Sequence, residues 1–160
     1  MYHIRVRPTA LVIQDNRVLC IEYKDEAGVH YNLPGGGAEP GETLEDGVVR
    51  EMLEETGAAV VVGPIAMVYE YAPHQQSGDY DTDTHILNII FDCTLKENAV
   101  PKLPDKPDPY QSEVRWISVS ELDDVILYPN IKNQIKEYIR TRKNIELIRD
   151  DMLESYSKVK

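Results

Sequence analysis

Gly35-Gly36-Gly37-Ala38-Glu39-Pro40-Gly41-Glu42-Thr43-Leu44-Glu45-Asp46-Gly47-Val48-Val49-Arg50-Glu51-Met52-Leu53-Glu54-Glu55-Thr56-Gly57 reads as a glycine-rich loop feeding a short helix. Thr43 is a natural N-cap, and Asp46 three residues later completes a capping-box pattern. Gly57 stands where a helix needs a residue that takes positive φ, and predicts the stop. Leu44, Val48 and Met52 recur every four residues and mark the apolar face. Gly35, Gly36 and Gly37 carry no Cβ, so the backbone there can approach a ligand closely.

The acids of this helix are set against its stability. Glu51, Glu54 and Glu55 fall within an arc of roughly 100°. Glu51 and Glu55 are like charges at i,i+4, and all three lie where the helix dipole disfavours anions. Arg50 reaches Glu54 at i,i+4, in the weaker order for an ion pair. Each penalty is only a few tenths of a kcal/mol, but they share a sign. Carboxylates gathered against repulsion ask for a cation, and Mg²⁺ is commonly held by one or two carboxylates plus substrate phosphates. Glu45 and Asp46, by contrast, read as a solvated acidic face.

Counted from Gly36, the spacing is five residues to Glu42, seven more to Arg50-Glu51, then Met52, one residue, Glu54-Glu55, one residue, Gly57 and a small apolar Ala58. This resembles the signature box of the Nudix hydrolases at every fixed position. Ala58 is smaller than the aliphatic usual there, a departure that concerns packing. The resemblance implies an α/β/α sandwich with a mixed β-sheet. It implies Mg²⁺- or Mn²⁺-dependent hydrolysis of a nucleoside diphosphate linked to some other group X. Glu51 and Glu55 resemble the principal metal ligands, Glu54 a further ligand or water-holding group, and the Gly35 carbonyl a backbone ligand. Arg50 resembles the arginine that orients the glutamates, and Glu42 an outer supporting acid. The general base varies among such proteins. A box glutamate, Glu51 or Glu54, is one choice; a later acid is the other, with Glu113 ahead of Glu70 and Asp92. Gly36, Gly37, Arg5, Arg7 and His85 are candidates for phosphate or ribose, and Tyr31 for a base, alongside Tyr23, Tyr69 and Tyr71. Half-buried sheet tyrosines are the plainer reading of these four. Pro73 lies fifteen residues after Ala58, as in some relatives specific for ADP-ribose. A nucleoside triphosphate pyrophosphohydrolase and a non-catalytic nucleotide-binding regulator are the alternatives.

The chain has 160 residues and a formal charge of −11. That length suits a single domain with a real core. The charge argues against nucleic acid and anionic membranes as partners, and suits a protein that bridges to an anionic small molecule through a cation. A second copy of the chain, as a homodimer, is left open. Cys20 and Cys93 sit in apolar runs without metal or redox spacing, so reduced thiols in the cytoplasm are expected. No signal peptide or membrane-length apolar run is visible.

In order, residues 4–13 and 18–23 predict a hairpin about Asp15-Asn16, with Pro8 marking an edge, bulge or bend. Tyr31 to Leu33 leads into the glycine loop. Strands are expected at 58–62 and 65–71, divided by Gly63-Pro64. Pro73 to Asp83 reads as a long loop with little to anchor it, over the substrate or over nothing. His85 to Leu95, the most apolar strand, is expected at the centre of the sheet. Residues 98–109 are proline-rich and irregular. A strand at 113–119, a short helix at 121–125 and a helix at 130–139 follow. Residues 141–160 carry Ile145, Ile148 and Met152 at helical spacing, and form a helical extension, a cover for a neighbour, or a tail.

Overall fold

β1 (Ile4–Gln14) and β2 (Arg17–Asp25) form the expected hairpin. Asp15 and Asn16 both adopt left-handed backbone, φ 51° and 57°. That is the tight turn whose twist matches paired strands. The two strands pair only beside the turn, Ile13 with Val18 and Gln14 with Arg17. Beyond it they part. β2 takes β3 (Gly28–Asn32) on one edge and β6 (Gln111–Ser118) on the other. β1 lies parallel to β5 (His85–Leu95), from Ile4 opposite His85 to Val12 opposite Cys93. β5 is central, with β4 (Val60–Tyr71) antiparallel on its other side. The computed structural model describes residues 1–78 and 82–154.

The edge of β1 left open by β2 is taken by the glycine loop. Pro34 and Val6 supply carbonyls to the amides of Ala10 and Ala38 at 2.8 and 2.9 Å, and Gly36 N–H donates to the Pro8 carbonyl. Pro8 therefore sits within a strand, paired with Ile89 on one side, and it turns its missing N–H toward the loop.

α1 (Leu44–Thr56) starts and stops as its sequence dictates. Asp46 N–H donates to Thr43 Oγ1 and Thr43 N–H to Asp46 Oδ2, and Gly57 caps the other end at φ 66°. Val48 and Met52 are fully buried against Ala10, Val12, Leu19, Val60 and Phe91. Each such burial contributes about 1.5–3 kcal/mol. α2 (Lys132–Thr141) buries Ile135 and Tyr138 in a second cluster with Leu11, Val18, Met67 and Ile90. The result is a curled mixed sheet with helices on both sides, an α/β/α sandwich. Among the described residues no helix is long and apolar enough to cross a membrane.

One expectation needs correction, and one set of alternatives is narrowed. Gly63-Pro64 does not divide two strands: β4 runs through it with a register shift between Val62 and Ile65, so the pair forms a bulge. Residues 142–154 do not extend the helix. Arg142 ends it in left-handed backbone, φ 54°. The chain then follows the outer edge of β4: Ile145 N–H bonds the Ala66 carbonyl, and Asn144 bonds that of Ile65. Here β8 (Ile148–Arg149) pairs in parallel with Tyr69 and Glu70. An open strand edge offers backbone partners that a further helical turn does not. At the far sheet edge β7 (Leu127–Tyr128) adds to β3. Residues 155–160 of the expected tail lie outside the described residues.

The same segment fastens the start of the long loop. Asp150 is 1% exposed and accepts from Tyr69 OH at 2.8 Å and from Ser77 N–H at 2.7 Å. The loop's anchor is thus polar, where its sequence offers no apolar one; Asp79 to Asp81 lie outside the described residues. Replacing Asp150 with Ala removes the acceptor of both bonds, one of them buried. A hydrogen bond contributes about 0.5–1.5 kcal/mol net, so losing the two is expected to cost about 1–3 kcal/mol in urea unfolding of Asp150→Ala.

Candidate active site

Arg50 leaves the middle of α1 with its side chain 22% exposed. Its guanidinium binds Glu42 through two contacts, Nε to Oε2 and Nη2 to Oε1, both 2.9 Å. Nη1 donates to Glu51 Oε1 at 2.8 Å and to Glu54 Oε2 at 3.2 Å, and Nη2 to the Gly37 carbonyl at 3.0 Å. Glu39 stands 3.6 Å away as a looser ion pair. The two-pronged contact holds the Glu42 carboxyl down at about 2, helped by the Glu39 N–H. The i,i+4 pair with Glu54 foreseen from spacing is present, but the closest bonds go to Glu42 and Glu51.

Glu55 points the other way, into the protein, and is 6% exposed. Its Oε1 accepts from Gly35 N–H at 3.0 Å, and its Oε2 from Gln111 Nε2 at 3.2 Å. Glu51, one turn back on α1, is the acid that acts on it. Burial, foremost, pushes its carboxyl up to about 8; the Gly35 amide and Arg7 pull against that, and Glu51 adds to it. Arg7 Nη2 donates to the Gly35 carbonyl at 2.7 Å. Gly36 packs so tightly on Glu51 that a Cβ there would overlap the carboxylate.

Two neighbouring carboxylates beside a glycine loop, with burial raising the pKa of Glu55, have the chemistry a hard divalent cation takes. The residues fit such an ion as a pair, Glu51 with Glu55. Among the described residues no three acid, imidazole or thiol side chains converge as a complete cage. Glu54 stands at the rim, its side chain 58% exposed. The Gly35 carbonyl faces the Arg7 guanidinium.

The family model for the NUDIX domain matches residues 3–141. The chain belongs to the Nudix family. A NUDIX hydrolase from Nitrosomonas europaea superposes with a TM-score of 0.71 at 23% identity, over 97% of this chain and 99% of that one. An ADP-ribose pyrophosphatase of Methanocaldococcus jannaschii is 37% identical over 90 residues, 56% of this chain and 50% of that protein. The chain thus spans half the length of that relative. A nucleoside triphosphatase NudI of Escherichia coli is 28% identical over 124 residues, 70% of this chain and 80% of that one.

The structure gathers the candidates Arg50, Glu51, Glu55, Glu42, Gly35, Gly36, Gly37 and Arg7 in one place, with Arg5 against Gly37. Ala58 is fully buried in the α1 cluster. Three candidates lie apart. Glu113 is exposed on β6 opposite Glu22, beside Arg115. His85 is held by Glu70 through Nε2 and Tyr2 through Nδ1, at 2.8 and 2.7 Å. Tyr31 gives its hydroxyl to Glu22 at 2.7 Å. Glu70 and Asp92 are also engaged, Asp92 by Tyr138 and Arg142. The residue that sequence reasoning missed is Gln111. The proline-rich run before it was visible, but nothing local marks a glutamine as facing an acid.

An acid whose folded pKa is raised favours the folded state while protonated. The folded Nudix domain then binds more protons than the unfolded chain, so stability falls as pH rises. The window runs from the ordinary 4.5 to about 8. Thermal melts in chelator should show metal-free protein losing stability from pH 5 to pH 8, and Glu55→Gln should flatten that slope.

Proposed function

We propose that this chain hydrolyses the pyrophosphate bond of a nucleoside diphosphate linked to a second group, using Mg²⁺ or Mn²⁺ held by Glu51 and Glu55. The observation that carries this reading is that both carboxylates lie on the glycine loop, Glu55 on Gly35 and Glu51 on Gly36. A divalent cation there supplies charge neutralisation at the phosphoryl oxygens and lowers the pKa of water. The chain's own residues do the rest. Arg50 holds Glu51 and the glycine loop in fixed relation, which supplies positioning. Arg5 and Arg7 bring cationic charge to that loop, where an anionic diphosphate would lie. Glu54 is the general base: it is the most exposed of the three acids, and Arg50 is its one ion-pair partner among the described residues. Glu113 does not serve, because it stands by Arg115 on β6.

Of the two relatives named for what they act on, the ADP-ribose pyrophosphatase supports a diphosphate linked to a sugar as substrate. The triphosphatase NudI supports the second reading, nucleoside triphosphates. Product analysis separates them: ADP-ribose yields AMP and ribose phosphate, and a triphosphate yields the monophosphate and pyrophosphate.

Exhaustive chelation should abolish turnover, and added Mg²⁺ or Mn²⁺ should restore it; activity that survives chelation refutes the reading. Glu54→Gln should lower kcat by about 10² to 10⁴, the usual cost of losing a general base. Glu55→Gln should lower it at least as far through loss of the cation. Circular dichroism of both variants should match the parent.

A further inference from the structure

Gln111 is 7% exposed at the start of β6, and each polar atom of its amide is used. The backbone N–H of Asp108 donates to its Oε1 at 3.1 Å. That bond fixes which way the amide faces, so Nε2 is turned to Glu55 Oε2 and to Tyr23 OH, both at 3.2 Å. Asp108 lies between Pro107 and Pro109, whose rings restrict the backbone around it. The other oxygen of Glu55 is held by Gly35 N–H. The carboxylate is therefore gripped at both ends, by the glycine loop before α1 and by β6.

We propose that Gln111 is a positioning residue that holds the Glu55 carboxylate in the plane needed to take a divalent cation together with Glu51. This rests on the functional reading above. The residue type fits the task. An arginine or lysine would also grip Glu55, but its charge would compete with the cation. A glutamate would accept from Asp108 but could not donate to Glu55. A buried neutral amide, locked by a backbone N–H, donates to the carboxylate and leaves its charge for the metal. On this account the irregular run from 98 to 110 has a purpose: it ends in the amide that orients Gln111.

Gln111→Leu and Gln111→Met remove the donor and keep the bulk. Mn²⁺ binding without substrate, followed by electron paramagnetic resonance, should weaken about 10- to 100-fold, the usual effect of losing a partner of a metal ligand. With saturating Mg²⁺, kcat per folded molecule, the folded fraction being fixed by circular dichroism, should fall while KM changes less than about threefold. Dissociation constants within twofold of the parent in folded variants overturn the proposal. Should both variants fail to fold, nuclear magnetic resonance of the parent decides. The Gln111 side-chain NH₂ signals should shift on Mg²⁺ titration with the midpoint of the Glu55 carboxylate carbon, and signals that stay still overturn it. A parent protein that takes up no cation refutes the functional reading and this inference together. Cation uptake indifferent to Gln111 refutes the inference alone.

Discussion

Five oxygen atoms converge on the guanidinium of Arg50: both of Glu42, one each of Glu51 and Glu54, and the Gly37 carbonyl. The last two turns of α1 carry Glu51, Glu54 and Glu55 and no basic residue in the final turn, so the helix opposes its own charges. Arg50 offsets that opposition by binding acids from the segment before the helix, from its middle and from its end at once. The carbonyl of Gly37 adds the loop to the same group. A lysine could not do this, since its compact ammonium lacks the planar fork that meets Glu42 with two bonds. Loop and helix are thus tied by one cation, and the place of the glycine loop relative to the acids follows.

Glu55 is the acid the guanidinium does not reach. The contrast with Glu42 shows how environment divides one residue type into two roles. Glu42, forked by Arg50, is held at about 2, and Glu55, buried beside Glu51, is pushed up to about 8. The first is permanently ionised and fixes structure. The second has an unmet demand for positive charge, which neutral donors from Gly35 and Gln111 answer only in part. The cation site proposed above would depend on what Arg50 is kept away from as much as on what it binds.

What was legible in the sequence was local. The Thr43-Asp46 cap, the Gly57 stop, the apolar face at Val48 and Met52, and the central β5 depend on residues near one another along the chain. The Glu55–Gln111 contact joins positions 56 apart, and the Arg7–Gly35 bond positions 28 apart. Glu113 was favoured as the later residue at the site because it is an acid ahead of Trp116. The structure brings Gln111 instead, and the reason is a register shift. Glu22 pairs with Glu113, but the next residue, Tyr23, pairs with Gln111, skipping Ser112. A bulge of this kind changes which side chains face the partner, and strict alternation read along one strand cannot locate it. The C-terminal segment left its alternatives open for a related reason. Ile145, Ile148 and Met152 have helical spacing, yet Ile148 is 6% exposed and Met152 70% exposed, because the open edge of β4 selects an extended chain.

The site exists where the sheet fails to close. β1 and β2 separate two pairs from their turn, and a continuous ladder from there to Ile4 would leave no room for the loop. Pro8 weighs against that ladder. In the antiparallel geometry set by the bridge between Thr9 and Gly35, its nitrogen is the one that would donate to Gly36, and proline has no N–H. Its carbonyl still accepts from Gly36, so the loop is held from one side and spared a second bond on the other. Strand or loop placed there forgoes the same bond; the glycine loop then turns away after Ala38, where Glu39 and Glu42 meet Arg50. The open edge of β1 admits the loop, and the loop carries Gly35 to Glu55.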